Sequence, residues 1–75
     1  MSKTAKVDKD YVEKIVAEDL KRKYPDITEL EFTAVARPYK NWVAFGRFST
    51  SRGFSRAFMY SVDGETGEIL GYMIS

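Results

Sequence analysis

The sequence predicts an α+β domain in which one N-terminal helix packs on a four-stranded antiparallel meander sheet. Three observations carry this expectation. Apolar residues recur at spacings of three and four over residues 8–24. Beyond Pro25 the apolar period changes to two. Four such runs are separated by short segments of turn-forming residues, which favours hairpin connections between successive strands.

In the helix, Val12, Ile15, Val16 and Leu20 form the apolar stripe, with Tyr11 and Tyr24 at its flanks. Asp8 is the expected N-cap. Val7 and Val12 stand at the N′ and N4 positions of a hydrophobic staple. Asp10 and Glu13 fall early, and Lys21, Arg22 and Lys23 fall in the last turn, as the helix dipole favours. Pro25 ends the helix.

The first strand, Leu30–Arg37, alternates Leu30, Phe32, Ala34 and Ala36 against Glu31, Thr33, Val35 and Arg37. Residues 37–41 are a turn. The second strand runs from Trp42 to Ser49, followed by a polar hairpin loop, Thr50–Gly53. Phe54–Val62 and Glu68–Ile74 are the third and fourth strands. A single helix covers one sheet face, yet both alternating sets carry large apolar residues. Trp42 and Phe48 oppose Val43 and Phe45; Phe58, Tyr60 and Val62 oppose Met59; Ile69 and Met73 oppose Leu70, Tyr72 and Ile74. A sheet with one solvated face shows a cleaner alternation. Curvature, a second copy of the protein or a different protein partner is therefore expected over part of the second face. The plainer reading is ordinary exposure of single aromatics on a small twisted sheet.

Seventy-five residues make one domain, expected over residues 7–75 behind a disordered polar lead at 1–6. The protein has no cysteine, so disulfides and thiolate chemistry are excluded. It has no histidine, which removes the best general acid/base near neutral pH and the commonest metal ligand. Neither metal nor cofactor is expected. No apolar run is long enough for a membrane span. The N-terminal stretch has no apolar core of a secretory signal, so none is expected there, and the compartment stays open.

Net charge is +1, but its distribution is uneven. Residues 1–31 sum to −1, residues 32–62 to +5 with no acid, and residues 63–75 to −3. The basic block interleaves Arg37, Lys40, Arg47, Arg52 and Arg56 with Tyr39, Trp42, Phe45, Phe48 and Phe54. Its candidate binding residues are Arg37, Tyr39, Lys40, Trp42, Arg47, Arg52 and Arg56. Antiparallel pairing brings Arg47 and Arg56 towards the hairpin loop, where they can cluster with Arg52. Arginines among aromatics suit phosphates and stacked bases, but dedicated nucleic-acid domains are far more basic. The plainer reading is solubility, edge protection and pairing with helix acids. Trp42 reads first as core and second as an interface anchor.

No catalytic residue stands out. Glu18 and Asp19 are adjacent on the helix and do not face each other. Asp63 and Glu65 sit in a turn. Ser49, Thr50, Ser51 and Ser55 lack a histidine base, and a Ser–Lys arrangement is the alternative left open. Seventy-five residues are few for a walled pocket, so a non-enzymatic protein is expected.

Residues 63–68 read as a turn. Asp63 and Thr66 can bond the local backbone, and Gly64 and Gly67 offer conformational freedom. The spacing does not match a calcium loop. The stretch YSVDGETGEIL, residues 60–70, with its D-x-x-T-G-E turn behind a helix-then-sheet order, resembles the closing hairpin of PepSY-type domains. That resemblance implies a helix preceding an antiparallel sheet. It also implies an exported or membrane-tethered setting, a role as peptidase inhibitor or accessory binding module, and no catalytic residues. The sequence departs from that pattern in its basic, aromatic block and in showing no signal or anchor. The leading expectation is a binding or inhibitory module that presents a sheet face and an Arg-rich loop to a protein partner. Nucleic-acid or phosphate binding through residues 37–56, and homodimerisation, are the alternatives.

Overall fold

The computed structural model describes residues 6–75. The expected polar lead lies outside them, apart from the exposed Lys6. Helix α1 (Lys9–Lys23) precedes strands β1 (Ile27–Ala36), β2 (Trp42–Thr50), β3 (Ser55–Val62) and β4 (Ile69–Ile74). The strands pair antiparallel in the order β1-β2-β3-β4, the predicted meander. Among the described residues, no helix is long and apolar enough to cross a membrane.

The Asp8 side chain accepts the Tyr11 N–H at 2.9 Å, so the predicted cap is in place. Val12, Val16 and Leu20 are fully buried, because a spacing of four keeps them on one helix face. Asp8→Ala is expected to cost about 1 kcal/mol. That lowers the melting temperature by roughly 5 °C, read by circular dichroism. An unchanged melt would mean that water caps the helix equally well.

The core is largely aromatic. Ala44, Phe48, Phe58, Tyr60 and Val62 meet the helix stripe. Ring centroids run from Tyr24 to Phe48 at 4.9 Å, to Phe58 at 6.3 Å, to Tyr60 at 6.0 Å and to Tyr72 at 5.4 Å. Gly46 leaves space for this row. A Cβ there would lie 2.6 Å from Phe58 Cζ and would collide with the Glu31 carbonyl. One polar bridge ties helix to sheet. The buried Tyr60 hydroxyl donates to Asp19 at 2.6 Å, and Lys23 donates to the same carboxylate oxygen at 2.6 Å.

The strict alternation expected for β1 needs correction. The strand starts at Ile27 and is irregular between Ile27 and Glu29 and between Phe32 and Ala34. The second bulge inserts one residue and slips the period. Val35 then packs on the core, while Ala34 and Ala36 turn to the other face opposite Phe45 and Val43. In β4 an irregularity opposite Ser61 and Val62 likewise places Ile69 with Tyr72 and Ile74 on the helix side, not with Met73.

The 63–68 segment is the expected turn. Asp63 accepts the N–H groups of Glu65 at 2.8 Å and Thr66 at 2.9 Å, and the Thr66 hydroxyl accepts from Glu68 at 3.2 Å. The Thr66 and Glu65 N–H groups hold the Asp63 carboxyl below its usual range. Gly67 takes φ +78°, with the Tyr11 ring against it. Gly64 does not use the left-handed region, a correction to the freedom expected there. Its missing side chain admits the Lys40 carbonyl and the Arg37 guanidinium, so the β1–β2 loop docks on the turn.

Candidate functional site

Two surfaces stand out. The first is the sheet face turned away from α1. Ala34, Phe45, Met59 and Met73 are successive cross-strand partners, so they form one apolar row across all four strands. Phe45 and Met73 remain 46% and 64% exposed. Val43 and Ala36 extend the patch on one side. On the other side the next rows are polar, with Glu31 opposite Arg47 and Glu29 opposite Ser49. The residues reach this face through strand alternation, with the bulge at Thr33 delivering the two alanines. Small residues at the β1 side keep the patch low where it meets that edge.

The second surface is an open cleft of about 550 Å³ at the end where α1 terminates. Tyr24, Pro25 and Asp26 form one wall, and Thr50, Ser51 and Arg52 of the hairpin the other. Phe54 and Arg56 close one side. The Ser51 N–H donates to the Asp26 carbonyl at 2.9 Å and the Ser51 hydroxyl to the Asp26 carboxylate at 3.3 Å, which fixes the hairpin against the Pro25 turn. Arg56 donates to the Ser75 carbonyl at 3.3 Å, with its guanidinium 5.9 Å from the Phe54 ring centroid. Thr50 is 7% exposed, and its hydroxyl has no hydrogen-bond partner.

The structure divides the seven predicted site residues between the two ends of the sheet. Arg37, Tyr39, Lys40 and Trp42 belong to the β1–β2 end. Arg37 is occupied: its Nε donates to the Lys40 carbonyl at 3.0 Å and its guanidinium rests on Gly64. Tyr39 is 88% exposed. Trp42 packs against the core, with its indole N–H unpartnered. Arg47, Arg52 and Arg56 belong to the hairpin end, but the three do not share one face. Arg47 pairs with Ala57 on the helix-free side, whereas Arg56 pairs with Phe48 on the helix side. Arg52 and Arg56 alone reach the cleft.

Tyr24, Thr50 and Phe54 escaped the sequence reading as cleft residues. Thr50 did carry a signal. It continues the inward set Trp42, Ala44, Gly46 and Phe48, so alternation already places it inside. No spacing rule brings Tyr24 to the hairpin. Among the described residues, no group of three acidic side chains converges as a metal site.

Comparison with protein-family models, curated proteins and solved structures finds no match for this sequence.

Proposed function

We propose that the protein is a small non-enzymatic binding module that engages a protein partner through the helix-free face of its sheet. The observation that carries this reading is the apolar row Ala34–Phe45–Met59–Met73, which lies open across the full width of the sheet. Exposed contiguous apolar surface with a polar border is the anatomy of an interface. Methionine side chains in the row, Met59 and Met73, adapt to a partner's shape. The likeness of residues 60–70 to a PepSY-type hairpin points the same way, towards an inhibitory or accessory role. The basic block supports nucleic-acid binding less well, because its members are spread over two ends and two faces.

The test is the double variant Phe45→Glu/Met73→Glu. Both positions are exposed, so stability should stay within about 1 kcal/mol of the wild type. A partner retained from host extract by the immobilised wild type should be lost by the variant. Retention of the same partner by both proteins would contradict the proposal. A second copy is the other occupant this face supports, and the same variant then shifts a wild-type dimer to monomer in sedimentation at micromolar concentration.

A further inference from the structure

We propose that the cleft between the Pro25 turn and the β2–β3 hairpin binds a single carboxylate carried on an aromatic or bulky apolar body. This site lies at the hairpin end and does not depend on the partner-binding reading of the helix-free face.

Three observations converge. Arg52 is exposed and forms no ion pair among the described residues. A free guanidinium presents a planar fork that matches a carboxylate. Phe54 is 54% exposed, stands outside the core cluster, and lines the cleft with Tyr24. Two rings beside a free cation offer an apolar body a place to lie. Asp26 sets the charge of the ligand. Asp26 lines the cleft with Arg52 and Arg56, and Arg56 is already engaged by the Ser75 backbone oxygen, so Arg52 is the cation left for a ligand. One negative charge matches Arg52, whereas a phosphate dianion would also meet Asp26 as a like charge. Arg56 is already oriented by the Ser75 carbonyl and the Phe54 ring, so one side of the site is held before anything binds.

The experiment titrates the full-length ¹⁵N-labelled protein with N-acetyl-phenylalanine, its neutral amide and inorganic phosphate. The acid should give saturable amide shifts confined to residues 24–26 and 50–56, and the amide and phosphate should give none. Arg52→Ala should weaken the acid about tenfold, the loss expected for a charge-assisted hydrogen bond. Arg47→Ala, on the opposite face, and Phe45→Glu/Met73→Glu should leave it unchanged. Tighter binding of a longer peptide ending in a free-carboxylate phenylalanine would identify a polypeptide's C-terminal carboxylate as the natural source. Equal affinity would identify a free small acid. Equal binding of the amide, stronger binding of phosphate, or unchanged affinity in Arg52→Ala overturns the proposal.

Discussion

Gly46→Ala is expected to destabilise the fold by about 3 kcal/mol, the upper end of the range for overpacking a core. The obstacles to a methyl group here are of two kinds. Phe58 is a ring, with atoms 2.6 and 2.9 Å from the added carbon, and can turn only by disturbing the aromatic row. The Glu31 carbonyl is backbone of the neighbouring strand and cannot turn at all without opening the β1–β2 ladder. A domain of this size has roughly 4–11 kcal/mol of stability in total. The loss should therefore lower the melting temperature by about 15 °C. Phe58→Leu in the same protein should relieve part of the added cost and leave the part due to the carbonyl. A loss below about 1 kcal/mol in urea titration would mean that the strands are not packed as closely as described.

Asp19→Ala should be nearly as damaging, at about 2–3 kcal/mol, because it orphans the buried Tyr60 hydroxyl as well as removing a charge. The Asp19 side chain is 14% exposed and bridges Lys23, Arg22 and Tyr60. In a Tyr60→Phe background the same substitution should cost under about 1 kcal/mol, the coupling appearing as the difference. The ionic part has a pH signature. Partial burial raises the carboxyl's pKa, but hydrogen bonds from Lys23 and Tyr60 and the charges of Lys23 and Arg22 outweigh it. The net position is below the ordinary 3.8. As pH falls, the unfolded polypeptide therefore takes up this proton first. The stabilisation is complete well above pH 3.8 and is lost as the pH drops through that value and then through the lowered native one. Asp19→Asn should consequently be less stable than wild type at neutral pH, with the difference shrinking as the pH falls through 3.8 and then through the lowered native titration. A difference that persists undiminished in acid would contradict the assignment. The Tyr60 hydroxyl, pushed far above its usual range by burial and by Asp19, stays protonated throughout.

These two sites also mark where the sequence stopped being legible. The cap at Asp8, the stripe Val12–Val16–Leu20, the end at Pro25 and the turn bonds of Asp63 and Thr66 are local, and local spacing predicts them. The bulge at Thr33 is not signalled by its neighbours, because β1 accepts the extra residue to bring Val35 inward against Ala44. Arg47 and Arg56 looked like one cluster because both approach the hairpin. Their register, Arg47 opposite Ala57 and Arg56 opposite Phe48, separates them onto two faces. A one-residue difference in pairing decides this, and alternation alone does not supply the register. Asp19 and Tyr60 are 41 residues apart and meet only when the helix settles on the sheet. The sole local hint is that Asp19 sits beside the apolar stripe, four residues after Ile15.

The surplus apolar content noticed in strands two and four resolves into separate things. Part is core: Ile69 joins the helix side through the β4 irregularity. Another part is the open row ending at Met73, and Leu70 and Tyr72 of β4 are exposed outside that row. A small domain that needs its apolar residues for stability leaves Phe45 and Met73 in solvent, the placement from which the binding role is proposed.

Amide mapping of the ¹⁵N-labelled protein with the partner that the wild type retains tests this most directly. The perturbed resonances should centre on Ala34, Phe45, Met59 and Met73, with α1 unmoved. Perturbation centred on α1 and the cleft, with the helix-free face silent, would contradict it.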